Sequence, residues 1–168
     1  MTSPVIEWAI QRASTIGAIV LAVVVVGLGT GCGQRTPTQP AVNTELAQAR
    51  QATLKYQDLN VALADGYADI NVVMPNMGRH YMKQSLVDSR FEVDKPEVLV
   101  YEPEGGSMKL VALEYVVPLD SAATAPAGFT GSSDVWDRNT TFQLWTVHAW
   151  VHRDNPSGVF NPTNPLVQ

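Results

Sequence analysis

The chain has a single cysteine, Cys32. An intramolecular disulfide needs two, so packing alone has to hold the fold, and Cys-x-x-Cys redox chemistry and c-type haem attachment are excluded. Basic residues are also scarce: 11 Lys and Arg against 16 Asp and Glu leave a net charge of −5, with no basic cluster. Nucleic-acid binding depends on neutralising phosphates, and adhesion to anionic lipid depends on cationic patches, so neither is expected. Gly-x-Ser-x-Gly, His-Glu-x-x-His and Walker motifs are all missing. Asp65-Gly66-Tyr67-Ala68-Asp69 is too short for a calcium loop. Only three histidines are present, His80, His148 and His152.

Long apolar runs are absent too, apart from Ile16 to Leu28. About 13 residues is short for a spanning helix, which needs about 20, but suits the core of a secretory signal. Gly27, Gly29 and Gly31 then weaken the helix just ahead of Cys32. Leu28-Gly29-Thr30-Gly31-Cys32 resembles the lipobox of bacterial lipoprotein precursors, with Leu28 one place further out than usual. The resemblance implies cleavage after Gly31 and attachment of acyl chains such as palmitate at Cys32. Thiol catalysis is then excluded, because the only sulfhydryl is committed. Several acyl chains hold a protein durably on a bilayer, since each buried CH₂ contributes ~0.8 kcal/mol. Glu7 cancels Arg12, so the usual basic excess ahead of the run is missing, and an uncleaved anchor from Ala13 to Gly31 is the competing interpretation. Either way the domain is expected to be exported and held on the outer face of a bacterial membrane, on the periplasmic or extracellular side.

Residues 1–31 are thus expected as signal peptide, 32–42 as a lipidated flexible tether and 43–168 as one globular domain. The tether is polar and carries Pro37 and Pro40. Asn43 or Thr44 is placed to cap a long helix, with Leu46, Ala49, Thr53, Tyr56, Leu59 and Leu63 on one face. Asp65-Gly66 ends it. Tyr67 to Met74 reads as a strand, Met74 to Gly78 as a turn and Arg79 to Ser89 as a short helix. Val98 to Tyr101 and Met108 to Val117 read as a hairpin about Gly105-Gly106, the second strand apolar on both faces and so covered on both. Asp120 to Arg138 is a long irregular connection, and Phe142 to Val151 is a last strand. Asn155-Pro156, Asn161-Pro162 and Asn164-Pro165 mark successive turns pegged by Phe160 and Leu166. The expected fold is α+β, a long N-terminal helix on an antiparallel sheet of four or five strands. A cone-shaped small-molecule-binding fold of helix and curved sheet is the alternative.

Met77-Gly78-Arg79-His80-Tyr81, Lys95-Pro96-Glu97-x-Leu99-Val100-Tyr101, Leu113-Glu114-Tyr115-x-Val117-Pro118 and His148-x-Trp150 resemble segments of a group of exported bacterial proteins. The same holds for the following Asn155-Pro156-x-Gly158. That resemblance implies a shared domain over most of the mature chain and carries no catalytic residues with it.

Three constellations carry possible chemistry. Met74-x₂-Met77-x₂-His80-x-Met82 gathers thioethers and an imidazole, a set that suits copper. His148, and His152 behind it, are placed to join from the last strand. Glu114 would shift the preference toward zinc or iron. A shared site requires the ring nitrogens of His80 and His148 within roughly 4 Å of each other. Secondly, Glu114 sits in an apolar strand, where a carboxylate must be paired or protonated, with His148 and then His80 as partners. Such a pair serves acid–base work or simply braces the fold. Thirdly, Trp136, Trp145, Trp150 and Tyr101 offer an aromatic surface for a sugar or protein if exposed, and a core if not. Two functions follow as expectations. One is a membrane-anchored envelope domain that binds a small molecule or protein without catalysis. The other is an envelope metal-binding protein or small metalloenzyme built on His80, His148 and Glu114, with Met77 and Met82 beside them.

Overall fold

The computed structural model describes residues Thr38–Gln168. The stretch expected as signal peptide, the lipobox-like segment with Cys32 and the first part of the expected tether lie outside the described residues. The architecture is α+β, with two short helices against one face of a curled, six-stranded antiparallel sheet that forms a half-barrel.

The helical region departs from the expected single helix. Helix α1 (Thr38–Thr53) starts inside the stretch read as tether and buries Val42 and Ala49. A 3-10 turn (Leu54–Gln57) then interrupts it before α2 (Leu59–Ala64). Three hydrogen bonds account for the break. Thr53 Oγ1 donates back to Ala49 O at 2.7 Å, the Tyr101 hydroxyl takes up Tyr56 O at 2.7 Å, and Asp58 caps α2 by accepting from Asn60 N at 2.9 Å. The interruption shifts the helical phase, so Ala62 faces the core and Leu63, expected there, is exposed. Gly66 closes α2 at φ +97°, as Asp65-Gly66 foretold. Among the described residues no helix is long and apolar enough to cross a membrane.

The strands are β1 (Ala68–Met74), β2 (Gly78–Met82), β3 (Val98–Glu104), β4 (Ser107–Pro118), β5 (Asp137–Asn139) and β6 (Leu144–Ala149). They pair in the order β1-β2-β3-β4-β6-β5. Two of the six were not expected. Strand β2 replaces the helix foreseen from Arg79, leaving only a 3-10 turn at Gln84–Leu86. The tight turn with Asn76 at φ 61° and Gly78 at φ 108° sends the chain straight back along β1, and pairing against the apolar ladder of β3 overrides local propensity. Strand β5 emerges from the long irregular connection by pairing with β6.

Strand β4 is buried from Leu110 to Val117, as an apolar strand covered on both faces must be. A bulge between Val100 and Tyr101 of β3 and Leu110 to Ala112 of β4 inserts one residue, so Leu110 joins the helix face and Val111 the opposite one, reversing the simple alternation. On the helix face Ala49, Tyr56 and Ala62 meet Leu99, Tyr101 and Tyr115. On the other face Val98, Val100, Ala112 and Val116 pack with Trp150 and Val167 of the C-terminal tail. In that tail Asn155, Asn161 and Asn164 each accept a backbone hydrogen bond from the residue two places on. These are the expected Asn-Pro turns. Phe160 is the foreseen peg, but Val167 takes the place expected of Leu166, which is exposed.

Candidate metal centre

The sheet face away from the helices carries a row of directly paired residues, Met82–Val98–Glu114–His148, running across β2, β3, β4 and β6. His80 projects from the same face two residues before Met82. Curling of the sheet brings the three polar members together. His80 Nε2 lies 3.7 Å from Glu114 Oε2, and His148 Nε2 lies 3.9 Å from Glu114 Oε1. One ligand atom from each of the three falls within 4.8 Å of the others, a looser gathering than the roughly 4 Å expected of His80 and His148 at a shared site. The imidazole rings meet edge to face, 6.2 Å between centroids. Ligands on a tetrahedral ion with ~2.0–2.1 Å bonds stand roughly 3.3 Å apart, so small side-chain rotations close this set on a metal.

Each imidazole is held so that Nε2 faces the carboxylate. His80 Nδ1 lies 3.1 Å from Val72 O, which can only accept, so Nδ1–H is the donor there and Nε2 is the nitrogen turned inward. A ligating histidine is commonly fixed in this way by a carbonyl behind it. The carbonyl is available because β1 bulges at this point. Asp69 pairs with Tyr81 and Val73 with Arg79, so Ile70, Asn71 and Val72 all stand opposite His80 alone. Asn71 turns the chain at φ 56°, its N–H bonded to Asp69 Oδ1 at 2.8 Å. His148 is flanked by Trp150, stacked at 6.3 Å and 16°. It is 3 % exposed, and its Nε2 has no hydrogen-bond partner.

The electrostatics follow from burial. Desolvation pushes the Glu114 carboxyl above the usual range, opposed by His80 and by a hydrogen bond from the Thr146 hydroxyl, with Asp137 raising it further. Desolvation likewise lowers His148 to about 4, against a small upward pull from Asp137. His148 is therefore neutral at pH 7 and free to act as a ligand.

A cavity of about 110 Å³ opens over His80 and Glu114. Its other walls are mostly apolar: Ile70 and Val72 from β1, Val116 from β4, Leu144 from β6 and Phe142 just ahead of it. Met74, Met77 and Met82 all line it, so the methionine-rich segment does meet the histidine cluster. Ile70, Met74 and Phe142 are exposed and form its rim. A broader and more open groove shares Ile70, Val72, Met82, Phe142 and Leu144 with it.

Other expectations fall away. His152 does not join the cluster, because the chain leaves the strand after Ala149 and crosses to the helix face, where His152 Nε2 lies 2.9 Å from Thr53 Oγ1. The aromatic surface is not built either: Tyr101 and Trp150 are buried, and Trp145 is half-buried with Nε1 donating to Ala122 O at 3.0 Å. Three contributors were not singled out as site residues from the sequence. Thr146 shares the His148 face by alternation and was legible; the Val72 carbonyl and the Asn139 wall depend on the β1 bulge and the β5 pairing and left no signal.

Comparison of the chain with protein-family models, with curated proteins and with solved structures finds no match.

Proposed function

We propose that the chain is an exported lipoprotein whose folded domain binds a first-row transition-metal ion through His80, Glu114 and His148. The observation that carries this is His148 Nε2, buried without a partner and 3.9 Å from a buried carboxylate that it does not hydrogen-bond. Leaving such a donor or acceptor unmade costs about 1–3 kcal/mol, and a brace between strands would close that gap. The three side chains all come from the sheet, which holds ligand geometry more rigidly than loops do. Two imidazoles and a carboxylate suit zinc or iron(II), and the methionines on the cavity wall make copper the necessary third arm of any test. The lipobox at Leu28–Cys32 supports placement on the outer face of a membrane, and the low count of basic residues supports a covalent anchor over an electrostatic one. Binding is the proposed activity, and no catalytic step is assigned.

Elemental analysis of the purified protein after challenge with zinc, iron(II) and copper tests this. About one metal per chain is expected, lost in a His80→Ala, His148→Ala variant with unchanged circular dichroism. A protein that takes up none of the three does not have this function. Intact-mass measurement on membrane-extracted material tests the anchor, which requires loss of residues 1–31 and an acylated Cys32. A species that keeps Met1 and a free thiol removes it.

A further inference from the structure

We infer that the metal keeps an open coordination position facing the cavity, and that its ligand is an aliphatic monocarboxylate, bound head to metal and tail along the apolar wall. This rests on the proposed metal site and goes beyond it. Four features point the same way.

The protein supplies three ligands where zinc and iron take at least four, so a position is left for an exogenous donor. The ligands come from β2, β4 and β6, all on one sheet face, so the open side points away from the sheet and into the cavity that His80 and Glu114 line. Charge then selects the donor. A divalent ion with two neutral imidazoles and one carboxylate carries a net +1 in a site where Glu114 is 9 % exposed and both histidines 3 % exposed. An uncompensated charge there is costly, and a monoanion cancels it. Asp137 is exposed in solvent, where water and salt screen it, so it does not do the same.

Shape and lining select the rest of the molecule. At about 110 Å³ the cavity is somewhat smaller than the ~150 Å³ engineered apolar cavity that takes up benzene, leaving room for about four or five non-hydrogen atoms. Its walls at Ile70, Val72, Phe142 and Leu144 reward an aliphatic tail, and the adjoining groove lets a longer tail run on. Of the remaining lining, Thr146 is already engaged with Glu114. Asn139 leaves one amide, enough for a single carboxylate and not for a sugar. The exposed apolar rim of Ile70, Met74 and Phe142, otherwise unfavourable in water, is then the entrance for such a tail.

The test loads the protein with cobalt(II), whose visible spectrum reports its coordination. Acetate, butyrate, hexanoate and butylammonium are then titrated in at constant ionic strength. Saturable spectral change is expected with the carboxylates, affinity rising severalfold per added CH₂ from acetate to butyrate, with no response to butylammonium. Leu144→Trp, which fills the cavity, should leave the cobalt spectrum in place and remove the butyrate response. Cobalt bound but silent to every carboxylate overturns the inference and leaves the metal site standing. Acetate and butyrate of equal affinity overturn it too, because the apolar wall then plays no part. Failure to bind cobalt, zinc, iron or copper removes the metal site and this inference together.

Discussion

Glu114 and His148 are directly paired across β4 and β6, yet no hydrogen bond joins them: Oε1 and Nε2 stand 3.9 Å apart, both buried. Direct cross-strand neighbours are close enough to bond whenever their side chains turn toward one another. Here both turn toward a shared point that His80 also faces. A structural brace would satisfy the pair, whereas a ligand set leaves it poised.

That difference predicts opposite signs for one substitution. Glu114→Gln removes a carboxylate whose charged form burial opposes and keeps its shape. If the cluster exists to hold metal, the metal-free variant should be more stable than the parent by about 1–2 kcal/mol at pH 8, with metal affinity down at least about 100-fold. Urea unfolding with and without zinc measures both. A loss of metal-free stability would return Glu114 to a bracing role.

The β1 bulge supports His80 through the Val72 carbonyl, and Asn71 turns the bulge at φ 56°. Asn71→Gly should be silent in both stability and metal binding. Asn71→Val puts a β-branched side chain in a left-handed conformation, costing about 1–2 kcal/mol, and should weaken metal binding by about tenfold as His80 loses its backing. Paired thermal melts and metal competition assays separate the two effects.

Gly78 makes the β1–β2 return possible. A Cβ there would stand 2.5 Å from Tyr101 O, on a backbone already at φ +108°. Gly78→Ala should cost about 3 kcal/mol or more, read as a large fall in the urea midpoint, because neither the strand nor the carbonyl can move aside cheaply.

Glu97 gives the fold a pH dependence of its own. It is 2 % exposed and accepts from Val116 N at 3.0 Å, and desolvation pushes its carboxyl up to about 8. Between the ordinary glutamate value near 4.5 and that raised value the folded state binds the proton and the unfolded state does not. Stability from this group is therefore fully present below about pH 4.5 and is lost as pH rises through about 8. Glu97→Gln should flatten the fall in urea midpoint between pH 6 and pH 9. An unchanged slope would show that Glu97 is already ionised when folded.

The sequence carried the strand pair around Gly105-Gly106, the doubly covered β4, the Asn-Pro turns and the helix stop at Gly66, because each depends on neighbours a few residues away. It also singled out His80, Glu114 and His148 and the methionines beside them, from the chemistry of the residues alone. It misplaced what distant partners decide. The helix breaks at Leu54 because Tyr101, 45 residues on from Tyr56, takes a carbonyl out of the ladder. Strand β2 exists because β3 offers an edge to pair with. His152 leaves the site because its chain crosses to Thr53.

The residue types, written in the sequence, determined which side chains can bind a metal, and alternation placed Glu114 and His148 each on a face of its own strand. Only the tertiary structure decided that three of them meet, since the spacing between strands and the curl of a sheet arise from pairings between segments that no local pattern records.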